Sequence, residues 1–351
     1  RASARGGTGS YTIISYPFNS LPNVLFIGAG TRTLPNKDLT ICKRLVIDGP
    51  VLDNSVNNHK LTILGTMERY NTGAFVSGTG LSPASTVSFT GTAAQALGGP
   101  TGDFTGANSF NNIEVNNASG LSIGTNGLVE VNNQLLLTNG IINTTSANKL
   151  TLVNTSPSAV IPAGGSSTSF VNGPLIKQIV NGDDFLFPTG IGTVKGHNFT
   201  LTSTAGSTLY WTVEYFTPNP TAHSLTAPLV VSNTMEYWNV STTTGTTAKV
   251  KVGWDPLSVL TPLMTENGMI DMRVAYYSAG SWNELTSTTS GDNYYGDVAT
   301  TGNVAISSAP QSFTTASITP AVARASLTPP GPVCGAAGIP VGGILAKSCL
   351  H

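Results

Sequence analysis

Asp183 and Asp184 stand side by side in "VNGDDFLF", in a chain that holds only 17 acidic residues. Two carboxylates are the minimum for acid–base work on a glycosidic bond, provided they converge on one groove and differ in proton affinity. Neighbouring residues on a strand point to opposite faces, so this pair is poorly placed to serve one site. Asn181-Gly182, just before it, is a turn signal. The expectation is a hairpin turn with both acids facing water, at the junction where one strand enters and the next leads into a second domain. No catalytic residue is assigned.

Other residues with chemical potential are sparse. His59, His197, His223 and His351 lie at no metal-ligand spacing from one another or from a cysteine, and are expected to face solvent. No G-x-S-x-G, H-E-x-x-H or P-loop motif occurs. Asp292, Asn293 and Asp297 in "SGDNYYGDV" put oxygen ligands on one loop and form a candidate calcium site, although the spacing is not that of an EF-hand and these are also common turn residues. No other cofactor is expected. Trp282 in "SAGSWNEL", beside a glycine, is a candidate for stacking on a sugar, with packing against a sheet as the competing reading. Cys42 lies in the strand-like "LTICKRLVI" and is expected to point into a core. Cys334 and Cys349 lie close together in a Gly/Pro-rich tail and form a candidate disulfide, which fits an extracellular address.

Composition sets the frame for these residues. Only 9% of the 351 residues are charged, and the formal net charge is −1. Typical soluble domains carry about 25% charged residues. Polarity comes instead from Thr, Ser, Asn and Gly, which favour strands and turns over helices. With no basic stripe, no nucleic-acid partner is expected. No apolar run reaches the ~18 residues of a membrane span, so no membrane insertion is expected. "RASARGG" has no apolar stretch behind it, and Arg1 reads as the start of a processed or excised segment.

Apolar-polar-apolar triplets recur through the first half: Leu39-Thr40-Ile41, Leu61-Thr62-Ile63, Val87-Ser88-Phe89, Ile113-Glu114-Val115, Val129-Glu130-Val131 and Leu150-Thr151-Leu152. Each has the period of a strand with one buried face, and clusters such as "NNASG" and "GTNG" separate them. A loose repeat of this kind points to a solenoid: a right-handed parallel β-helix with six coils, about 30 Å long at about 4.8 Å per coil. A plain β-sandwich is the competing reading, with Asn139-Gly140 as a hairpin turn. The second half has longer strands rich in aromatics, "LYWTVEYF", "MEYWNVS", "AKVKVGW" and "MRVAYYS", and reads as an antiparallel β-sandwich. Trp238 and Trp254 share strand faces with Val240 and Val252, so both are expected to be buried there. The expected organisation is all-β: an N-terminal cap or extension over 1–23, a solenoid over 24–165, a sandwich over 166–316, and a Pro/Gly-rich linker or further module over 317–351.

The order of phrases "GTAAQALGG", "NSFNNIEVNNASGLSI", "LLLTNGIINTTSANKLTL" and "SSTSFVNGPLIK", followed by "DDFLFPTGIG", "EYWNV", "VGWD" and "VAYYSAGSW", resembles large secreted adhesin-like surface proteins of Bacteroidetes, many exported by the type IX route. The resemblance covers roughly residues 85 to 310 and implies a β-helix-like segment followed by a sandwich in a cell-surface chain. That family has no agreed catalytic residues, so none is carried over. The tail departs from the usual carboxy-terminal sorting domain.

Three functions compete. The first is a non-catalytic structural or adhesive segment of a large extracellular protein, with like modules and surface glycans as partners. The second is a polysaccharide lyase or hydrolase on the β-helix, which needs acids clustered on one face. Asp38, Asp48, Asp53, Glu68, Asp103, Glu114 and Glu130 are instead scattered. The third is a carbohydrate-binding module.

Overall fold

A computed structural model describes residues 2–4, 8–12, 20–100, 103–124, 127–219, 224–255, 271–292 and 294–318. The triplets form a straight column. Leu39 pairs with Leu61, Leu61 with Val87, Val87 with Ile113, and Ile113 with Leu135, all in parallel strands. Each of these side chains is buried, and the residue that follows it is polar in every coil but the last, where it is Leu136. A second wall stacks Val24, Leu45, Met67 and Leu97 in the same way. A third stacks Arg32, Leu52 and Phe75 in the early coils. The later coils place Val129, Leu150 and Leu175 in one parallel column. The result is a β-solenoid of about eight turns, two more than the triplets alone suggest. Among the described residues the only helical pieces are two short turns, Gly106–Asn108 and Pro157–Ala159.

Polar side chains tie one coil to the next. Gln95 donates to the carbonyls of Ile63 and Gly65, both at 2.8 Å, and accepts from Asn117 at 2.9 Å. Three successive coils are joined by this buried chain, whose polar atoms would otherwise carry a full desolvation cost. Asn139-Gly140 is not a hairpin turn. It is a solenoid corner, because the strands on either side of it, Leu128–Asn139 and Ile142–Asn143, pair in parallel with neighbouring coils. Gly140 has φ +99°, and a Cβ there would lie 1.8 Å from the Asn117 carbonyl oxygen of the adjacent coil. Cys42 is half-buried.

No break falls near residue 165. Parallel pairing continues as far as Leu175–Ile179 on Lys149–Leu152, and Val171–Asn172 on Thr189–Gly190. The strand before Asp183 then does something new. On one side Leu175–Ile179 is parallel to its solenoid neighbour. On the other it pairs antiparallel with Leu209–Phe216, so that Leu175 faces Val213 and Lys177 faces Trp211. The sheet extends antiparallel through Tyr237–Thr242, Gln311–Ser317, Met272–Ser278 and Ser281–Leu285. Arg1–Pro320 is accordingly one compact unit. Solenoid pairing also begins before residue 24, since the strand Ser20–Ile27 already pairs with Leu39–Asp48. Of the expected 317–351 linker, only residues 317 and 318 lie within the described residues.

A separate antiparallel sheet holds Asp184–Phe187, Phe199–Ser203, Thr246–Trp254, Gly296–Thr300, Ser287–Gly291 and Val304–Ile306. Strand period decides its buried face. Ala248, Val250, Val252 and Trp254 are buried, while Lys249 and Lys251 alternate away from the core. Phe199 of this sheet stacks on Trp238 of the continuous sheet, with centroids 5.3 Å apart and planes at 22°.

Asn181-Gly182 carries the chain from one sheet to the other, so the expected hairpin is not formed: Leu175–Ile179 pairs with Leu209–Phe216, and Asp184–Phe187 with Phe199–Ser203. Gly182 sits at φ +88°, and its amide donates to the Ser203 carbonyl at 2.7 Å. Asp184 is exposed and accepts from the Thr202 hydroxyl at 2.6 Å. The charge of Asp183 acts on the ammonium of Lys177, a residue of the strand just before the turn.

Candidate functional site

Four segments at strand ends converge on one cleft. His197 sits in the short link between Val194–Lys195 and Phe199–Ser203. Glu236 immediately precedes Tyr237–Thr242. Asp255 immediately follows Thr246–Trp254. Tyr295 immediately precedes Gly296–Thr300. The cleft has a volume of about 520 Å³ and is also lined by Tyr215, Lys195 and Asp297.

His197 is the hub. Its Nδ1 lies 2.7 Å from both carboxylate oxygens of Glu236, and its Nε2 lies 2.9 Å from Asp255 Oδ1. Each ring nitrogen thus faces a carboxylate oxygen, the arrangement that suits an imidazolium with two N–H donors. Burial by itself would lower the His197 pKa. The hydrogen bond and charge of Glu236, then those of Asp255, outweigh that effect and leave it raised. Glu236 is buried, and its backbone carbonyl also accepts from the Thr314 hydroxyl at 2.7 Å. Burial lowers the pKa of Lys195, with Asp255 and Glu236 offsetting part of the effect. Burial, then the charge of Glu236, raises that of Tyr215. The cluster is thus a charge-compensated clasp joining strand ends of both sheets.

The clasp has a pH signature. A group whose folded pKa lies above its unfolded value stabilises fully below the unfolded value and loses that contribution as pH rises through the folded one. For His197 the loss therefore begins near the ordinary imidazole value of about 6.5 and continues above it. Glu236→Gln is expected to lower stability by about 2 kcal/mol at pH 6 and by much less at pH 9. Urea unfolding at the two pH values measures this. An equal loss at both would mean that the carboxylate acts through packing and not through charge.

The residues singled out by the sequence fall elsewhere or into different roles. Trp282 is 1% exposed and packs with Leu229, Ala275 and Ala316, its ring edge-on to Tyr277, so it offers no face to a sugar. Asp292 spends Oδ1 on the backbone amides of Tyr294 and Tyr295, at 2.7 and 2.8 Å, as a turn residue does. Asp297 lines the cleft instead of facing a calcium loop, and Asn293 lies outside the described residues. Among the described residues no three His, Cys, Asp or Glu side chains are grouped to hold a metal. Cys334, Cys349, His223 and His351 also lie outside the described residues. His59 is partly exposed, 2.8 Å from Asn36 Oδ1 and 3.3 Å from Asp38 Oδ1. His197 was expected in solvent and is instead the centre of the cluster. Its partners stand 39 and 58 positions away, so no spacing could reveal them.

No family model, curated protein or solved structure matches the chain.

Proposed function

We propose that the chain is a non-catalytic structural or adhesive segment of a large extracellular surface protein, in which the solenoid spaces and displays the two-sheet end. One observation carries the reading: the imidazole at the centre of the cluster is engaged on both of its nitrogens. Both nitrogens of His197 are engaged by carboxylates, which leaves no lone pair on the ring for a general base. On the solenoid, Glu114 is likewise held by Lys60 at 2.7 Å and by the Ser88 hydroxyl at 2.6 Å, and Glu68 is held by Arg44. The resemblance to Bacteroidetes surface proteins and the low charge support the same reading, with like modules as lateral partners. The stack of Phe199 on Trp238 favours describing the two antiparallel sheets as a sandwich. The strong preference of parallel crossovers favours a right-handed solenoid.

Incubation of the purified protein with a panel of neutral and acidic polysaccharides tests this. Reducing or unsaturated ends are expected to stay at the level of a protein-free blank. Steady release that disappears in a His197→Ala variant would make the chain an enzyme and overturn the reading.

A further inference from the structure

The clasp accounts for only part of the lining of the cleft. Three large side chains stand exposed around it: Tyr295 at 62%, Val194 at 53% and Met235 at 42%. Exposed apolar side chains along one cleft, beside the buried Tyr215 and Trp254 and next to the exposed Tyr294, suit a contact surface.

Hydrogen bonds hold the backbone on which the tyrosine stands. The amides of Tyr294 and Tyr295 both donate to Asp292 Oδ1, and Asp292 N donates to the Tyr295 carbonyl at 2.8 Å. Trp254 Nε1 donates to the Asp292 carbonyl at 3.1 Å. Gly296 lets that indole close in, since a Cβ there would lie 2.2 Å from Trp254 Cζ2. These bonds brace the backbone that carries Tyr295.

Polar groups with spare capacity line the inside. The Asp297 carboxylate accepts no hydrogen bond from any described residue. Lys195 Nζ donates to the Gly196 carbonyl at 3.1 Å, and an ammonium has three hydrogens to give. The volume lies within the ~300–1,000 Å³ of ordinary ligand pockets.

We propose that this cleft is a binding site for a neutral saccharide. A pyranose ring has an apolar C–H face and a rim of hydroxyls that both donate and accept. Its C–H face would lie against Tyr295 and the Val194 and Met235 side chains. Its hydroxyls would donate to Asp297 and accept from Lys195. The charge balance selects against acidic sugars: among the described lining residues, the three carboxylates of Glu236, Asp255 and Asp297 outnumber the two basic groups of Lys195 and His197. The site is independent of the spacer reading, because a displayed module can bind a glycan without cleaving it.

Titration of tryptophan fluorescence and calorimetry on the intact protein test the proposal. The probes are the hexaoses of cellulose, xylan, mannan, starch and laminarin, with polygalacturonate and hyaluronan as anionic polymers. At least one neutral hexaose is expected to bind, and neither anionic polymer is expected to compete. Tyr295→Ala should weaken binding about tenfold or more while melting like the parent protein, because the ring is largely exposed. Asp297→Asn should weaken it less. Absence of binding by all five neutral probes, unchanged affinity in Tyr295→Ala, or preference for an anionic polymer would each overturn the proposal. Cleavage of a bound hexaose would overturn the spacer reading and leave this one standing.

Discussion

Trp238→Ala is expected to destabilise the protein by about 3–5 kcal/mol, the usual cost of emptying a large aromatic site in a core. The indole is fully buried where the two antiparallel sheets meet. It stacks on Phe199 and tilts against Tyr215, each with centroids 5.3 Å apart. Its backbone faces Tyr215 on one neighbouring strand and Phe313 on the other. Those rings come from three strands and cannot all collapse into the space, so a cavity would persist. Trp238 Nε1 has no hydrogen-bond partner among the described residues. Trp238→Phe should therefore lose clearly less than the alanine variant, since it keeps an aromatic ring and removes a buried orphan donor. Urea unfolding with an unchanged m-value would read both differences. An alanine variant that unfolds at the parent midpoint would mean the sheets are not held together at this ring.

Lys177 should show an effect of the opposite sign. Its side chain is fully buried, facing Trp211 across the pairing between Leu175–Ile179 and Leu209–Phe216. The ammonium donates to the carbonyls of Asn154 and Gln178 and lies 4.9 Å from the centroid of the Phe185 ring. Burial pulls its pKa down to about 8, and the charge of Asp183 only partly offsets this. The folded state therefore gives up the proton near pH 8, while the unfolded chain keeps it until its ordinary value of about 10.4. Between those values the unfolded state holds more protons, so stability rises with pH, by about 3 kcal/mol in all from this group. Lys177→Met is expected to be about 1–4 kcal/mol more stable than the parent at pH 7 and to lose that alkaline rise. Unfolding midpoints from pH 7 to 10.5 would settle the sign. A methionine variant less stable at pH 7 would mean that the two carbonyl bonds and the ring contact outweigh desolvation.

The same lysine clarifies what Asp183 does. In sequence the acid pair looks like candidate chemistry or a plain turn. In the fold Asp183 is a charge acting on a buried ammonium in the strand before it, and Asp184 holds a threonine. Local period made the strands legible, because alternation in Leu61-Thr62-Ile63 or Lys251-Val252 fixes which side faces the core. It did not say which wall of the coil a strand joins. Val129-Glu130-Val131 has the same pattern as Ile113-Glu114-Val115, yet Val129 stacks on Leu150 while Ile113 stacks on Leu135. That difference is set within the strand Leu128–Asn139, where the register against Phe110–Asn116 shifts between Val131 and Gln134 and divides one wall from the next. The cleft was the least legible part. "EYWNV" and "VGWD" each flank a strand with a carboxylate, but only the order of strands in two sheets brings both to His197. For Trp282, of the two readings the sequence left open, packing against a sheet is the one that holds, since a glycine beside it says nothing about which side of the strand is covered.

The reversal at Leu209–Phe216 has a consequence for length. A stack of parallel coils has no intrinsic end, because the last coil offers the next one the same hydrogen-bonding template that it received. Any chain with a compatible strand can lengthen such a stack, which is how ordered fibrils grow. Here the position after Leu175–Ile179 is filled by a strand running the other way, whose own far edge is taken by Tyr237–Thr242. A further coil finds no parallel template on that wall. Elongation there is terminated by direction and not by charge, which fits a protein with few charges to spare for repelling its own copies.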